Sequence, residues 1–291
     1  MAKLYRFITA DGEIAATAID STDIVAAAEQ IHHTSAVITA ALGRLLTAAS
    51  MMVADLKGEN DTLTVRIKGD GEAECLIACA DPSGNVKGYA GNPVVELPLN
   101  DKGKLDVGGA VGKGTLSVSK DLGLKEPYNG TIELVSGEIA EDIAAYYAIS
   151  EQIPTVCALG VLVNPDLTVN CAGGYLIRLL PAATDSTIDK LEESIKGLPS
   201  VTRMLSMGLT AQDMVKKALN KFDIELLDES EPEYRCDCSR ERVERALLGM
   251  GRQELLKLAD EQPTTSADCH FCNKKYSFSA DDIRKLAEKA K

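Results

Sequence analysis

Cys236-Asp237-Cys238, followed after 30 residues by Cys269-His270-Phe271-Cys272, is the stretch that decides how this chain is organised. Four thiols in two close pairs have the spacing of a tetrahedral metal site. One or two intervening residues let both side chains of a pair turn toward one ion, and soft thiolates suit zinc. With four sulfurs available such an ion has no vacancy for His270, which reads as a solvent-side spacer. The insertion exceeds the 15 to 20 residues usual in a zinc ribbon and carries elements of its own. Ser239 can cap a helix running through Val243, Leu247 and Leu248 to Gly249, and Gly251 opens another with Leu255, Leu256 and Leu258. Beyond Cys272, Asn273-Lys274-Lys275 reads as a turn, Tyr276 to Phe278 as a short strand, and Ser279 with Asp282 as the cap of a last helix through Ile283 and Leu286.

Residues 231–291 are therefore expected to form a small C-terminal zinc-binding module, with one zinc per reduced chain held by Cys236, Cys238, Cys269 and Cys272. A module of about sixty residues is marginal alone, whereas structural zinc in small modules contributes about 10 to 16 kcal/mol of apparent binding energy that is also folding energy. Removing the ion should unfold it.

A static structural zinc is the plain reading of such a site; two features point to a switch instead. Cys236 and Cys238 lie about 6 to 7 Å apart between α-carbons if extended, near the upper limit for a disulfide, so a bond there is possible but strained, and strained disulfides are labile. The module also follows directly on a weakly self-supporting helical segment. Oxidising the thiolates would eject zinc, unfold the module and release those helices, exposing their apolar faces. A thioredoxin-like reading of Cys269 to Cys272 requires a strand before the motif and a helix starting at its first Cys, but Asp268 precedes and a Lys-rich turn follows.

That upstream segment, residues 183–230, reads as a metastable helical linker. Ile188, Leu191 and Ile195 end at Gly197, a second piece ends at Gly208, and Thr210 with Asp213 resembles a capping box opening a third. Helices this short are marginal in water and depend on packing against a neighbour. Met204, Met207 and Met214 lie here, in pliable side chains that can repack. Ahead of the linker, residues 1–182 read as a mixed α/β domain. Leu4 to Thr9 and Glu13 to Ile19 form a hairpin about Asp11-Gly12. Ile38, Leu42, Leu45, Ala49, Met52, Val53 and Leu56 stripe a helix that stops at Gly58. Thr62 to Lys68, Ala73 to Cys79, Gly114 to Lys120, Gly130 to Val135, Thr155 to Val163 and Leu167 to Leu180 read as strands, and Glu138 to Ser150 as a helix. Gly173-Gly174 allows either a hairpin turn or a close backbone approach. The expected class is thus α+β: a mixed α/β core, a helical linker and a zinc module.

Charge and composition narrow the function. The chain of 291 residues has 31 basic and 44 acidic side chains, and the segment from Ser230 on is balanced, 12 against 12, so the net charge of -13 belongs to the rest. The larger part is a poor match to a phosphate backbone. The alternative function is a nucleic-acid or ribosome-associated protein built on a static zinc knuckle, with Arg240, Arg242, Arg245, Lys274 and Lys275 on phosphate; the plainer role for these residues is a solvated face interleaved with Glu241 and Glu244. No signal-peptide core opens the chain, and the apolar run Thr155 to Val163 falls far short of the roughly 20 residues that span a bilayer, so a cytoplasmic location without membrane contact is expected. Reduced thiols follow from that location. Cys75, Cys79, Cys157 and Cys171 lack a matching clip and read as core residues. Gly108 to Thr115 imitates a phosphate loop but has Val107 and Gly114 where the pattern requires Gly and Ser or Thr. His32-His33 lacks the further ligands of a hydrolytic metal site, and no nucleophile, base and orienter set appears; an enzyme is not expected.

The runs CDCSRERVERAL (236–247) and CHFCNKKYSF (269–278) closely resemble the tail of the heat shock protein 33 family, the redox-regulated thirty-three-kilodalton chaperones. ALGRLLTAASMM (41–52), GEIAEDIAAYYAISEQIPT (137–155) and GGYLIRLLP (173–181) resemble its N-terminal signatures in the same order. The resemblance spans essentially the whole chain. It implies an ATP-independent holdase, idle when reduced and zinc-loaded, and activated under oxidative stress. It further implies disulfides Cys236-Cys238 and Cys269-Cys272 in the oxidised state, an unfolded linker, a homodimer formed through the N-terminal domain on activation, unfolding client proteins as partners, and hand-over to ATP-dependent foldases. The four N-terminal-domain cysteines are not part of that family's switch pattern.

Overall fold

The computed structural model describes residues 1–290. They divide into two compact units, Met1–Arg235 and the residues from Cys236 on.

In the first unit, alternating apolar residues pair Lys3–Thr9 (β1) with Ile14–Asp20 (β2) across a tight turn in which Gly12 takes φ 71° and its N–H donates to the Thr9 carbonyl. Thr22–His32 (α1) and Ala36–Met52 (α2) follow, then the strands Thr62–Gly69 (β3), Cys75–Ala80 (β4) and Val86–Ala90 (β5). A short helix, Val107–Val111 (α3), leads into Gly114–Asp121 (β6) and Tyr128–Glu133 (β7). Ala140–Tyr146 (α4) runs on into a single π-type turn, Tyr147–Glu151. After Thr155–Val163 (β8) and Val169–Leu179 (β9) come Asp185–Ile195 (α5), Val201–Ser206 (α6), Ala211–Ala218 (α7) and Ile224–Ser230 (β10).

The strands make two five-stranded antiparallel sheets, ordered β10-β1-β2-β9-β8 and β5-β4-β3-β6-β7. Helix α2 packs against both, touching β8 and β9 of the first and β4 and β5 of the second. This explains a departure from the one-stripe reading: every residue of α2 except Ala36 and Arg44 is buried, because a helix between two sheets has no solvent side. The window Ala36–Asp55 is long and apolar enough to cross a membrane by length and composition, with a mean hydropathy of 1.7, but 89% of it is buried inside the fold.

The first sheet is covered on both faces. Period-two alternation sends Leu4, Ile19, Ala172 and Leu176 toward α2 and sends Tyr5, Phe7, Ile14, Tyr175 and Ile177 to the opposite face, where α5, α6 and α7 bury Leu191, Val201, Met204, Met214 and Val215 against them. The helices end where Gly197 and Gly208 adopt φ 77° and 81°, and Thr210 with Asp213 forms the expected capping box. One local expectation fails here. The linker does not stay helical to Ser230: its last part is β10, paired with β1. The expected helix from Glu138 to Ser150 is present from Ala140 to Glu151, with a π turn as its last part. Of the two roles open to Gly173 and Gly174 the close backbone approach holds: both lie inside continuous β9, where a Cβ would come within 2.6 Å of the carbonyls of Ile19 and Ala158 respectively.

The second unit contains Arg240–Leu248 (α8), Arg252–Glu261 (α9), the hairpin Thr264–Asp268 (β11) and Lys275–Ser279 (β12), and Ala280–Lys289 (α10). Its core is small: Leu255, Ala259, Tyr276, Phe278, Ile283, Leu286 and Ala287.

Candidate metal centre

Cys236 and Cys238 are delivered by the extended segment ahead of α8, whose start is fixed by Ser239 accepting from the Arg242 N–H at 3.3 Å. Cys269 and Cys272 come from the loop joining β11 to β12. In that loop the Cys269 N–H donates to the Lys274 carbonyl at 3.0 Å, the N–H groups of Cys272 and Asn273 return to the Cys269 carbonyl, and Asn273 takes the left-handed φ of 57° that Asn tolerates. A strand does precede Cys269, but a turn and not a helix follows, so the thioredoxin-like arrangement is absent.

The four Sγ atoms all lie within 4.8 Å of one another, and among the described residues this is the one such cluster of His, Cys, Asp and Glu. Between the pairs, Cys236 approaches Cys269 at 3.7 Å and Cys238 approaches Cys272 at 3.4 Å. Sulfurs about 2.3 Å from a tetrahedral ion stand about 3.8 Å apart, so the spacing suits a four-thiolate metal ion. All eight cysteines are free thiols. Tyr276 adds a second layer, its hydroxyl donating to Cys238 Sγ at 3.1 Å while its ring sits in the core. Burial opposes ionisation of Cys238, but the Tyr276 hydroxyl and the neighbouring sulfurs outweigh it and bring this thiol down to about 7. At Cys236 and Cys272 burial leads the other way and raises the thiols.

Of the five basic residues weighed for phosphate binding, Arg240, Arg242 and Lys274 are engaged within the module. Arg240 lies over the Phe278 ring at 4.2 Å and reaches the Ser277 carbonyl, Asp282 and Glu244; Arg242 pairs with Asp237; Lys274 sits over the Tyr276 ring at 5.3 Å.

A family model described as Hsp33 protein matches residues 2–279. The chain belongs to the Hsp33 family. A 33 kDa chaperonin of Lachnoclostridium phytofermentans is 47% identical over 283 residues, covering 97% of either chain, and one of Acetivibrio thermocellus is 46% identical, covering 98% of this chain and 96% of its own. The crystal structure of an Hsp33 homologue from Thermotoga maritima superimposes with a TM-score of 0.89 at 35% identity, covering 99% of this chain and 98% of that one. Similarity of this extent includes the cysteine module as well as the α/β core.

Elsewhere the structure corrects the reading of two of the remaining four cysteines and bears out the core reading of Cys157 and Cys171. Cys75 and Cys79 are not core residues: they alternate along β4 with buried Leu76, Ala78 and Ala80 and so lie on the opposite, partly exposed face, with Cys79 3.6 Å from Thr64 Oγ1. Cys171 is buried, and burial pushes the Cys157 thiol up to about 12. The false phosphate loop is a packing device, since a Cβ on Gly114 would stand 1.9 Å from the Lys68 carbonyl where β6 meets β3. His32 Nε2 lies 3.1 Å from the Tyr234 hydroxyl. Sequence reasoning missed Tyr276 as a sulfur partner, because its reach to Cys238 depends on a chain crossing that no local pattern announces.

Proposed function

We propose that the protein is a redox-regulated, ATP-independent holdase whose sensor is the four-cysteine cluster and whose effector is apolar surface under the linker, residues 183–230. The observation that carries this reading is the convergence of Cys236, Cys238, Cys269 and Cys272 in a unit with only seven buried apolar residues. Zinc bound there would tie the segment before α8 to the β11–β12 loop and so supply much of the module's folding energy. Each close pair, Cys236 with Cys238 and Cys269 with Cys272, gives two electrons from its two thiolates and forms one disulfide, while the oxidant takes two protons from solvent and leaves as two waters from hydrogen peroxide or as chloride and one water from hypochlorite. The ligand set is then gone, and the module loses the cross-link that its small core cannot replace.

Coupling to the first unit follows from chain continuity: Cys236 is the residue after Arg235, whose own segment holds the linker's end on the core. Release of α5 to α7 bares Tyr5, Phe7, Ile14, Tyr175 and Ile177, an apolar face suited to unfolding client proteins. The activated form acts in the cytoplasm as a homodimer, by binding and not by catalysis, and passes clients to ATP-dependent foldases. The test is one titration with oxidant on one sample, reading zinc release, free thiols and aggregation of heat-denatured luciferase. Zinc loss and protection should rise together; an oxidised, zinc-free protein that leaves luciferase to aggregate overturns the reading.

A further inference from the structure

The run from Ile224 to Arg235, which ends at the residue before Cys236, seals an edge of both sheets. Its first part, β10, pairs antiparallel with β1 from Thr9↔Ile224 to Leu4↔Ser230. Its last part lies along β5: the Val86 N–H donates to the Glu233 carbonyl at 3.0 Å, the Arg235 N–H to the Val86 carbonyl at 2.8 Å, and the Tyr234 hydroxyl to the Gly88 carbonyl at 2.8 Å. Without this run, β1 becomes an outer strand with unpaired backbone groups, and β5, already outermost in its sheet, loses the bonds at Val86 and Gly88.

The occupant of β1 is a poor one. A register shift between Arg6 and Phe7 leaves Leu227 bulged, Leu226 and Leu227 are 48% and 51% exposed, and the side-chain tie that closes the pairing is an exposed Arg6–Asp228 ion pair at 2.9 Å. Exposed pairs of this kind contribute little. The strand is held chiefly by its backbone, a mode of attachment that any extended segment can reproduce. The edge it covers is well made: β1 is paired on its inner side with β2, and Tyr5 and Phe7 belong to the apolar face that α5, α6 and α7 also cover. The opposite outer strands, β8 and β7, end their sheets in the closed state as well and so cannot be switched by the linker.

We propose that the activated protein captures clients by strand addition, an extended segment of an unfolding polypeptide with alternating apolar residues taking the place of β10 along β1. Its side chains on one face meet Tyr5 and Phe7, and the backbone ladder makes recognition independent of sequence. This rests on the redox-chaperone reading and names where and how the client sits.

Hydrogen exchange with residue-level fragmentation on the full chain tests it, in the reduced zinc-loaded form, the oxidised form, and the oxidised form with luciferase diluted from denaturant. On oxidation alternate amides of β1, those not bonded to β2, should lose protection while β2, flanked by β1 and β9, keeps it. With luciferase bound the same alternate amides should slow again by about tenfold or more. Bound luciferase with β1 exchanging as fast as in the free oxidised form overturns strand addition and leaves the chaperone reading intact. Protection of β1 unchanged by oxidation, or lost together with β2, also overturns it. If oxidised protein retains no luciferase, the underlying reading falls and this proposal with it.

Discussion

Tyr276 joins the sulfur cluster to the module's core, with its hydroxyl on Cys238 and its ring among the buried residues. Tyr276→Phe keeps the ring and deletes the donor, so the module should stay folded while metal affinity falls about tenfold or more, as for other partners behind a ligand; competition with a chromophoric chelator measures it, and unchanged affinity would deny the hydroxyl a role. A second buried hydroxyl behaves differently. Glu151 accepts from Lys120 Nζ at 2.7 Å and from Tyr146 Oη, and although burial alone would raise its carboxyl, these donors hold it below the usual 4.5. A folded value below the unfolded one means that the stabilisation is complete above about pH 4.5 and fades as pH drops through the folded value. Glu151→Gln should therefore cost about 1 to 3 kcal/mol at pH 7, where two charge-assisted bonds are weakened, with the gap to the parent narrowing in acid; urea titrations at pH 7 and below 4 decide it. The cysteines were legible in the sequence because ligand pairs are local, whereas Tyr276 with Cys238 and Lys120 with Glu151 meet only through tertiary folding.

Among the elements, α5, α6 and α7 owe their place to the first sheet, since each is too short to persist alone and their apolar faces share one cluster with β1, β2 and β9. Met214 is fully buried there. Met214→Ala should cost about 2 to 5 kcal/mol locally, and if these helices melt as a unit, exchange over residues 185–218 should accelerate while β3 and β4 are unaffected; uniform acceleration would mean that the segment has no separate stability. The capped helices of both units were legible, as Ser239, Thr210 with Asp213 and Ser279 with Asp282 mark starts by local chemistry. What was missed has a common cause. The strand β10 leaves its leucines exposed, while β5 and β11 are short and fill their inward positions largely with Gly88 and Ala90 and with Thr265 and Ala267, which carry little apolar signal; all three become strands by pairing with other strands. Helix α1 was missed for another reason: its 11 residues bury only Ile24, Val25 and Ala28, too short a stripe for the helical period to stand out.

At the scale of the molecule, the two units differ in what keeps them folded. The first has two extensive apolar clusters around a doubly covered sheet, and the second has seven buried apolar residues and four clustered thiols. Burial can sustain the first without help, but a module this small sits below the size at which a core alone suffices, and a metal bound by it adds its binding free energy to folding. Treating the reduced protein with a strong zinc chelator should therefore unfold the residues from Cys236 on and leave the sheets intact. Limited proteolysis should then stop at a fragment that retains β1 to β9, and far-ultraviolet circular dichroism should lose the contribution of α8 to α10 and recover it when zinc is restored. The same fragment should appear after oxidation without chelator, because disulfides within each pair remove the ligands but do not link the segment before α8 to the β11–β12 loop. A chelated protein whose C-terminal unit resists protease as well as the zinc-loaded one would show that the small core suffices, and the sulfur cluster would then be no latch.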